Sequence, residues 1–230
     1  MSIRGTVTKM ASNAAARRAT PVIATRGARQ FLDLAIDGFS GFLGAREVAR
    51  RHLIRRRDVN LANRDSIDQH VRLAGAQGFL TNIGGFVTMP IAIPANVAGL
   101  ALLQIRMVAV TLHMRGYDIT DPRVRTAALV TLLGEDDVRK AVTAGTLPGQ
   151  PHDIAVSSTG ASLELLTRVA SDVTSALVMR VGGKHATLTV TKGVPLVGGA
   201  VSAGVDAFST YVIGQYANRE FPPHVMIERA

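Results

Sequence analysis

The 230-residue chain contains no cysteine and no tryptophan, and aromatic residues make up only 4% of it. Without cysteine there are no disulfides, no thiol nucleophile and no cysteine-ligated zinc. So few aromatics exclude a nucleic-acid reader built on base stacking. Charged residues are also scarce, at 19%, while hydrophobic residues reach 47%. That mix excludes a disordered or collagen-like chain and suits one domain with a sizeable core.

Local catalytic signatures are missing too. The six histidines stand at 52, 70, 113, 152, 185 and 224, no two closer than eighteen residues. No His-x-x-x-His pair exists to place two imidazoles on one helical face for a metal. Gly183-Lys184 has no glycine five residues earlier and runs into His185, so it is not a phosphate-binding loop. Neither Gly-x-Gly-x-x-Gly nor Gly-x-Ser-x-Gly occurs. No cofactor, metal or catalytic residue is expected. The first thirty residues lack an unbroken apolar core, and no Asn-x-Ser/Thr acceptor is present. The expected compartment is the cytoplasm, at the inner face of the cytoplasmic membrane.

Acids are scarce in one region only. Residues 1–57 hold twelve Lys/Arg against Asp33, Asp37 and Glu47, a balance of +9 that equals the net charge of the whole chain. Residues 58–230 hold fourteen of each sign. Such asymmetry points the leading quarter at an anionic partner. Residues 1–20 read as a flexible basic arm, 21–220 as a single helical domain and 221–230 as an exposed tail.

The apolar positions repeat with a helical period. Phe31, Leu34, Ala35, Gly38, Phe39 and Phe42 share one face, on a helix that Gly38, Gly41 and Gly44 weaken. Ala45, Val48, Ala49 and Leu53 continue the period beneath Arg46, Arg50, Arg51, Arg55, Arg56 and Arg57. Ser66-x-x-Gln69 predicts a capping box that starts the next helix near Asp65. Between Arg72 and Arg106 lie 33 residues without a charge, divided by Gly84-Gly85, Pro90 and Pro94 into two helical arms; the second arm ends at Gly116. Asp121-Pro122 predicts a helix start, and Glu135, Asp136 and Asp137 suit the first turn of another. Residues 145–160 are the best linker candidate, and Leu165 to Leu177 a further helix. Within 193–217, Gly199, Ala203 and Ala207 recur every fourth residue, a spacing that lets two helices approach closely. The fold expected is all-α: a compact helical bundle with a buried or membrane-apposed apolar helical hairpin over 73–115, packed against 193–217.

Residues 74–122, with AGAQGFLTNIGGFVTMPIAIPANVAGLALLQIRMVAV and then HMRGYDITDP, together with KGVPLVGGAVSAGVDAF at 192–208, resemble the EcsC family of bacterial proteins. The resemblance implies a helical protein at or near the cytoplasmic membrane with a non-enzymatic accessory role. It brings no catalytic residues with it.

Two groups of residues are candidates for function. The arginines at 46, 50, 51, 55, 56 and 57 are read as a solvated face, as a contact for an anionic membrane surface or as a nucleic-acid patch. The last lacks aromatics and any reader motif, so nucleic acid is the least favoured partner. Each arginine beside an anionic leaflet contributes about 1 kcal/mol, which suits a peripheral protein. The second group is a buried polar site at Arg106, His113, Tyr117, Asp118 and Asp206. Arg106 and His113 share a helical face, and a charge in such surroundings normally pairs with a carboxylate: Asp118, Asp172 or Asp206. An Arg106–Asp206 pair would join the two most apolar helices. The function expected is a non-catalytic accessory protein bound to anionic lipid, holding a lipid or partner helix in an apolar groove, with a membrane protein or a second copy as further partners. The rivals are a small enzyme with its site near Arg106, His113, Tyr117 and Asp118, or a basic nucleic-acid-binding protein.

Overall fold

The structure, a computed structural model, describes residues 32–39, 41–83, 95–157, 164–173 and 195–224. The basic arm expected at 1–20 and the break expected between the two apolar arms lie outside the described residues. Helices make up 78% of what is described, so the fold is all-α. The elements are α1 (32–37), β1 (Gly38–Phe39), β2 (Phe42–Leu43), α2 (Ala45–Arg56), α3 (Val59–Ile83), α4 (Ala95–Met114), α5 (Pro122–Thr131), α6 (Glu135–Thr143), α7 (Pro151–Val156), α8 (164–173) and α9 (Pro195–Glu220).

The hydrophobic centre follows directly from the charge-free stretch. Residues 102–112 of α4 are buried without a break, including Leu102, Ile105, Met107, Val108, Val110 and Leu112. A helix buried on every side belongs in the middle of a bundle, and α3, α2, α9 and α5 pack around α4. Each such side chain contributes about 1.5–3 kcal/mol by leaving water. One continuous apolar cluster runs from Leu32 to Phe221. Among the described residues no helix is long and apolar enough to cross a membrane.

The most extensive helix pair is α3 with α9, and small residues permit it. A Cβ on Gly75 would stand 3.4 Å from Ala207 Cβ and 3.6 Å from the Ala203 carbonyl, so two members of the four-residue repeat face α3. At Gly214 the approach is closer still. A Cβ there would lie 2.7 Å from Ile67 Cγ2 and 3.1 Å from the Met107 sulfur.

Several elements begin and end where the sequence says. Asp121 accepts from the Arg123 amide at 2.7 Å and Pro122 opens α5. Gly116, with φ 86°, follows α4, and the Tyr117 amide returns to the Leu112 carbonyl at 3.0 Å. The three acids at 135–137 form the first turn of α6. Four expectations are corrected. The helix of Phe31–Phe42 stops at residue 37, because Gly38 and Gly41 take φ of 81° and 78° and turn the chain into a two-stranded hairpin, with Phe39 stacked on Phe42. The long helix α3 starts at Val59 rather than near Asp65: Asp58 accepts the Leu61 amide at 2.8 Å, while Ser66 is buried in mid-helix and Gln69 turns aside to His52. The supposed linker contains α7, docked on α5 through its buried Ile154 and Ala155. The tail is not exposed at its root, since Phe221 is fully buried, although 222–224 are exposed.

Candidate functional site

The basic helix α2 rests on the bundle through Ala45, Val48, Ala49 and His52. At about 100° per residue these four leave the opposite face outward, and all six arginines are exposed. Three of them are held by acids of the fold. Glu47 accepts from Arg50 at 2.8 and 2.9 Å and from Arg51 at 2.7 Å, and those hydrogen bonds hold its carboxyl down to about pKa 2. Arg56 pairs with Asp65 of α3, which lowers the Asp65 pKa by the same cause. Arg46, Arg55 and Arg57 make no ion pair among the described residues. Over 45–72 eight arginines face four acids, so a positive excess remains outside. Of the six arginines expected as an anionic-surface contact, three are thus held by two acids of the fold and three are in no ion pair among the described residues.

Arg106 lies where the sequence places it, in the interior of α4, but not beside a carboxylate. Its Nε donates to His70 Nε2 at 3.1 Å, its Nη1 donates to the Leu43 carbonyl at 3.1 Å, and its guanidinium carbon sits 3.9 Å above the Phe42 ring. His70 in turn is 2.7 Å from the Ser66 carbonyl through Nδ1. The lone pair given to Arg106 puts the ring proton on Nδ1, so His70 is neutral. Burial and then the adjacent Arg106 push its pKa down to about 3. Burial also brings Arg106 down to about 10. The expected Arg106–Asp206 pair is thus replaced by neutral acceptors and an aromatic face. Asp206 is half-buried on α9, where its own carbonyl accepts from Ser209 Oγ at 3.1 Å.

The remaining residues of the expected polar site belong to other contact sets. Tyr117 is buried with its hydroxyl donating to the Pro222 carbonyl at 3.0 Å and 3.0 Å from His152 Nδ1; its ring stacks on His224 at 4.9 Å and meets Phe221 edge-on. Neighbouring Arg115 donates to the Phe221 carbonyl and, at 2.5 Å, to Asn218 Oδ1. Together they clasp the end of α9 to the end of α4. Asp118 is exposed and accepts from the Thr120 amide and hydroxyl at 2.9 and 2.7 Å, which lowers its pKa. His113 is half-buried; burial lowers its pKa, as does Arg46, against the opposing pull of Asp118. Of the four residues of the enzyme alternative, Asp118 acts on His113, while Arg106 and Tyr117 lie in separate contact sets.

Sequence reasoning missed a buried polar chain that spans three helices. Thr111 donates to Asn63 Oδ1 at 2.8 Å, Asn63 Nδ2 donates to Asn218 Oδ1 at 2.9 Å, and Asn218 also takes the Arg115 bond. An apolar groove was expected from sequence, but its position was not. On α9 the side chains of Val201, Val205, Phe208 and Val212 are exposed, Phe208 at 68%, and with Leu132 and Leu133 they line a groove of about 540 Å³. The i, i+4, i+7, i+11 spacing of these four was the available signal.

No protein-family model, no curated protein and no solved structure matches the chain.

Proposed function

We propose that this chain is a non-catalytic accessory protein that docks on an anionic membrane surface through α2, at the inner face of the cytoplasmic membrane. The observation that carries this reading is the exposed arginine edge, on which Arg46, Arg55 and Arg57 have no acid to bind among the described residues while Arg50, Arg51 and Arg56 do. Arginines without a carboxylate are ready to hydrogen-bond lipid phosphate, and each contributes about 1 kcal/mol near an anionic leaflet. The resemblance of 74–122 and 192–208 to the EcsC family agrees with a membrane-proximal role, and we extend the proposal to membership of that family. The groove along α9 is of a size and polarity that suit one acyl chain or the apolar face of a partner helix, from a membrane protein or a second copy.

Co-sedimentation with phosphatidylglycerol vesicles and with phosphatidylcholine vesicles across a salt series tests the docking. The expected result is pelleting with the anionic vesicles alone, weakened as salt shortens the screening length. Equal pelleting with both lipids, or with neither, refutes it. The enzyme alternative needs Arg106, His113, Tyr117 and Asp118 to converge, and their separate contact sets speak against it.

A further inference from the structure

The buried residues of α2 point inward, and the direction opposite their mean is that of Ile54. An isoleucine therefore occupies the most outward position of the most basic helix, and it is 62% exposed. A second apolar side chain follows seven residues later, near the start of α3: Leu61 is 48% exposed and lies opposite the buried Ala62, Asn63, Ser66, Ile67 and His70 of that helix. The chain turns between the helices at Arg57, which adopts φ 54° and ends α2. Arg55 and Arg57 make no ion pair among the described residues, while Arg56 is held against Asp65 on the α3 side. Isolated exposed apolar residues are ordinary on protein surfaces. Here Ile54 and Leu61 take the outward positions of two helices joined by one turn, beside arginines that make no ion pair among the described residues.

We propose that the α2–α3 corner enters the anionic lipid surface, with Ile54 and Leu61 in the acyl boundary and Arg55 and Arg57 on the phosphates. This rests on the docking proposed above and goes further, in dividing the contact between an inserted apolar tip and a phosphate-binding rim. Charge complementarity selects the occupant: a hydrophobic protein partner would not require cations around the tip, and a nucleic acid would not reward the aliphatic side chains.

The two parts separate in a salt series with phosphatidylglycerol vesicles. Ile54→Ser with Leu61→Ser is expected to weaken binding about tenfold at every salt concentration, leaving the slope against salt unchanged. Arg55→Gln with Arg57→Gln is expected to weaken it about thirtyfold at low salt and to flatten the slope. All four positions are exposed, so unchanged circular-dichroism melts confirm the fold. Because the chain has no cysteine, Ile54→Cys, Leu61→Cys and, on α6, Asp136→Cys each carry a single polarity-sensitive fluorophore. Vesicles should shift the first two to the blue and leave the third unmoved. Wild-type affinity in the serine variant, or no blue shift at 54 and 61 while the protein still pellets, overturns the insertion and leaves surface docking intact. Failure of the wild type to pellet overturns both, as does retention of duplex DNA in place of vesicles.

Discussion

Arg106 on α4 and Arg115 in the turn just after it face the same electrostatic demand as the arginines of α2, and the two regions meet it by different means. In the interior, the charges are absorbed by neutral oxygens, an imidazole and an aromatic face: His70, the Leu43 and Phe221 carbonyls, Asn218 and Phe42. On the edge they are absorbed by carboxylates, Glu47 and Asp65, and only in part. The interior arrangement stitches helices together and leaves little for a ligand to take. The edge arrangement leaves positive charge facing outward. Arginine content alone does not mark a binding surface; what marks one is the arginine that the fold leaves unpaired.

The interior is expected to be the intolerant half. Gly214→Leu drives a side chain into Ile67 and Met107 and should cost about 3 kcal/mol or more in a chemical melt. Gly204→Ala, at a position on the same helix with nothing within 4 Å, should instead stabilise by up to about 1 kcal/mol. Equal effects at the two glycines would break the distinction between the faces of α9.

Asn63→Leu comes next. It removes the centre of the chain joining Thr111 to Asn218, leaving buried partners unsatisfied, and should cost about 2–3 kcal/mol. A denaturant melt that matches wild type would show that the three helices do not depend on that chain.

Acid sharpens the contrast further. His70, His52 and His113 all have lowered pKa values, the first about 3, each chiefly through burial. Above the unfolded-state value of about 6.5, neither state carries the proton and the stability is complete. Below it the unfolded chain takes protons that the folded chain refuses, and stability falls until the folded pKa is reached. His70 alone should remove about 2 kcal/mol between pH 7 and pH 5. Urea melts at the two pH values check this, and a flat profile would mean that the folded state protonates His70.

Much of the fold is legible in the sequence because caps and glycines act locally. Asp121-Pro122, Gly116 and the acids of α6 mark their helices without help from elsewhere. The hairpin at 38–43 was hidden because its phenylalanines keep a helical period while its glycines do not keep helical angles. Ser66 and Gln69 carry a capping pattern that the fold uses sideways, for His70 and His52. The candidate site was legible as a run of arginines, and Glu47 beside Arg50 and Arg51 was legible with it, but the pairing of Arg56 was not, because only the α2–α3 turn brings Asp65 back to it. The partner of Arg106 was invisible for another reason. His70 is neutral and lies 36 positions away, so no charge pattern points to it.

The outward charge of α2 is tested most directly by moving it in both directions within one titration. Vesicle affinities of wild type, Glu47→Gln and Arg55→Gln with Arg57→Gln are measured across a salt series. Removing Glu47 releases Arg50 and Arg51 and should strengthen binding about fivefold, while removing the two arginines weakens it, and the three curves should converge as screening rises. Three indistinguishable affinities at low salt would contradict the account.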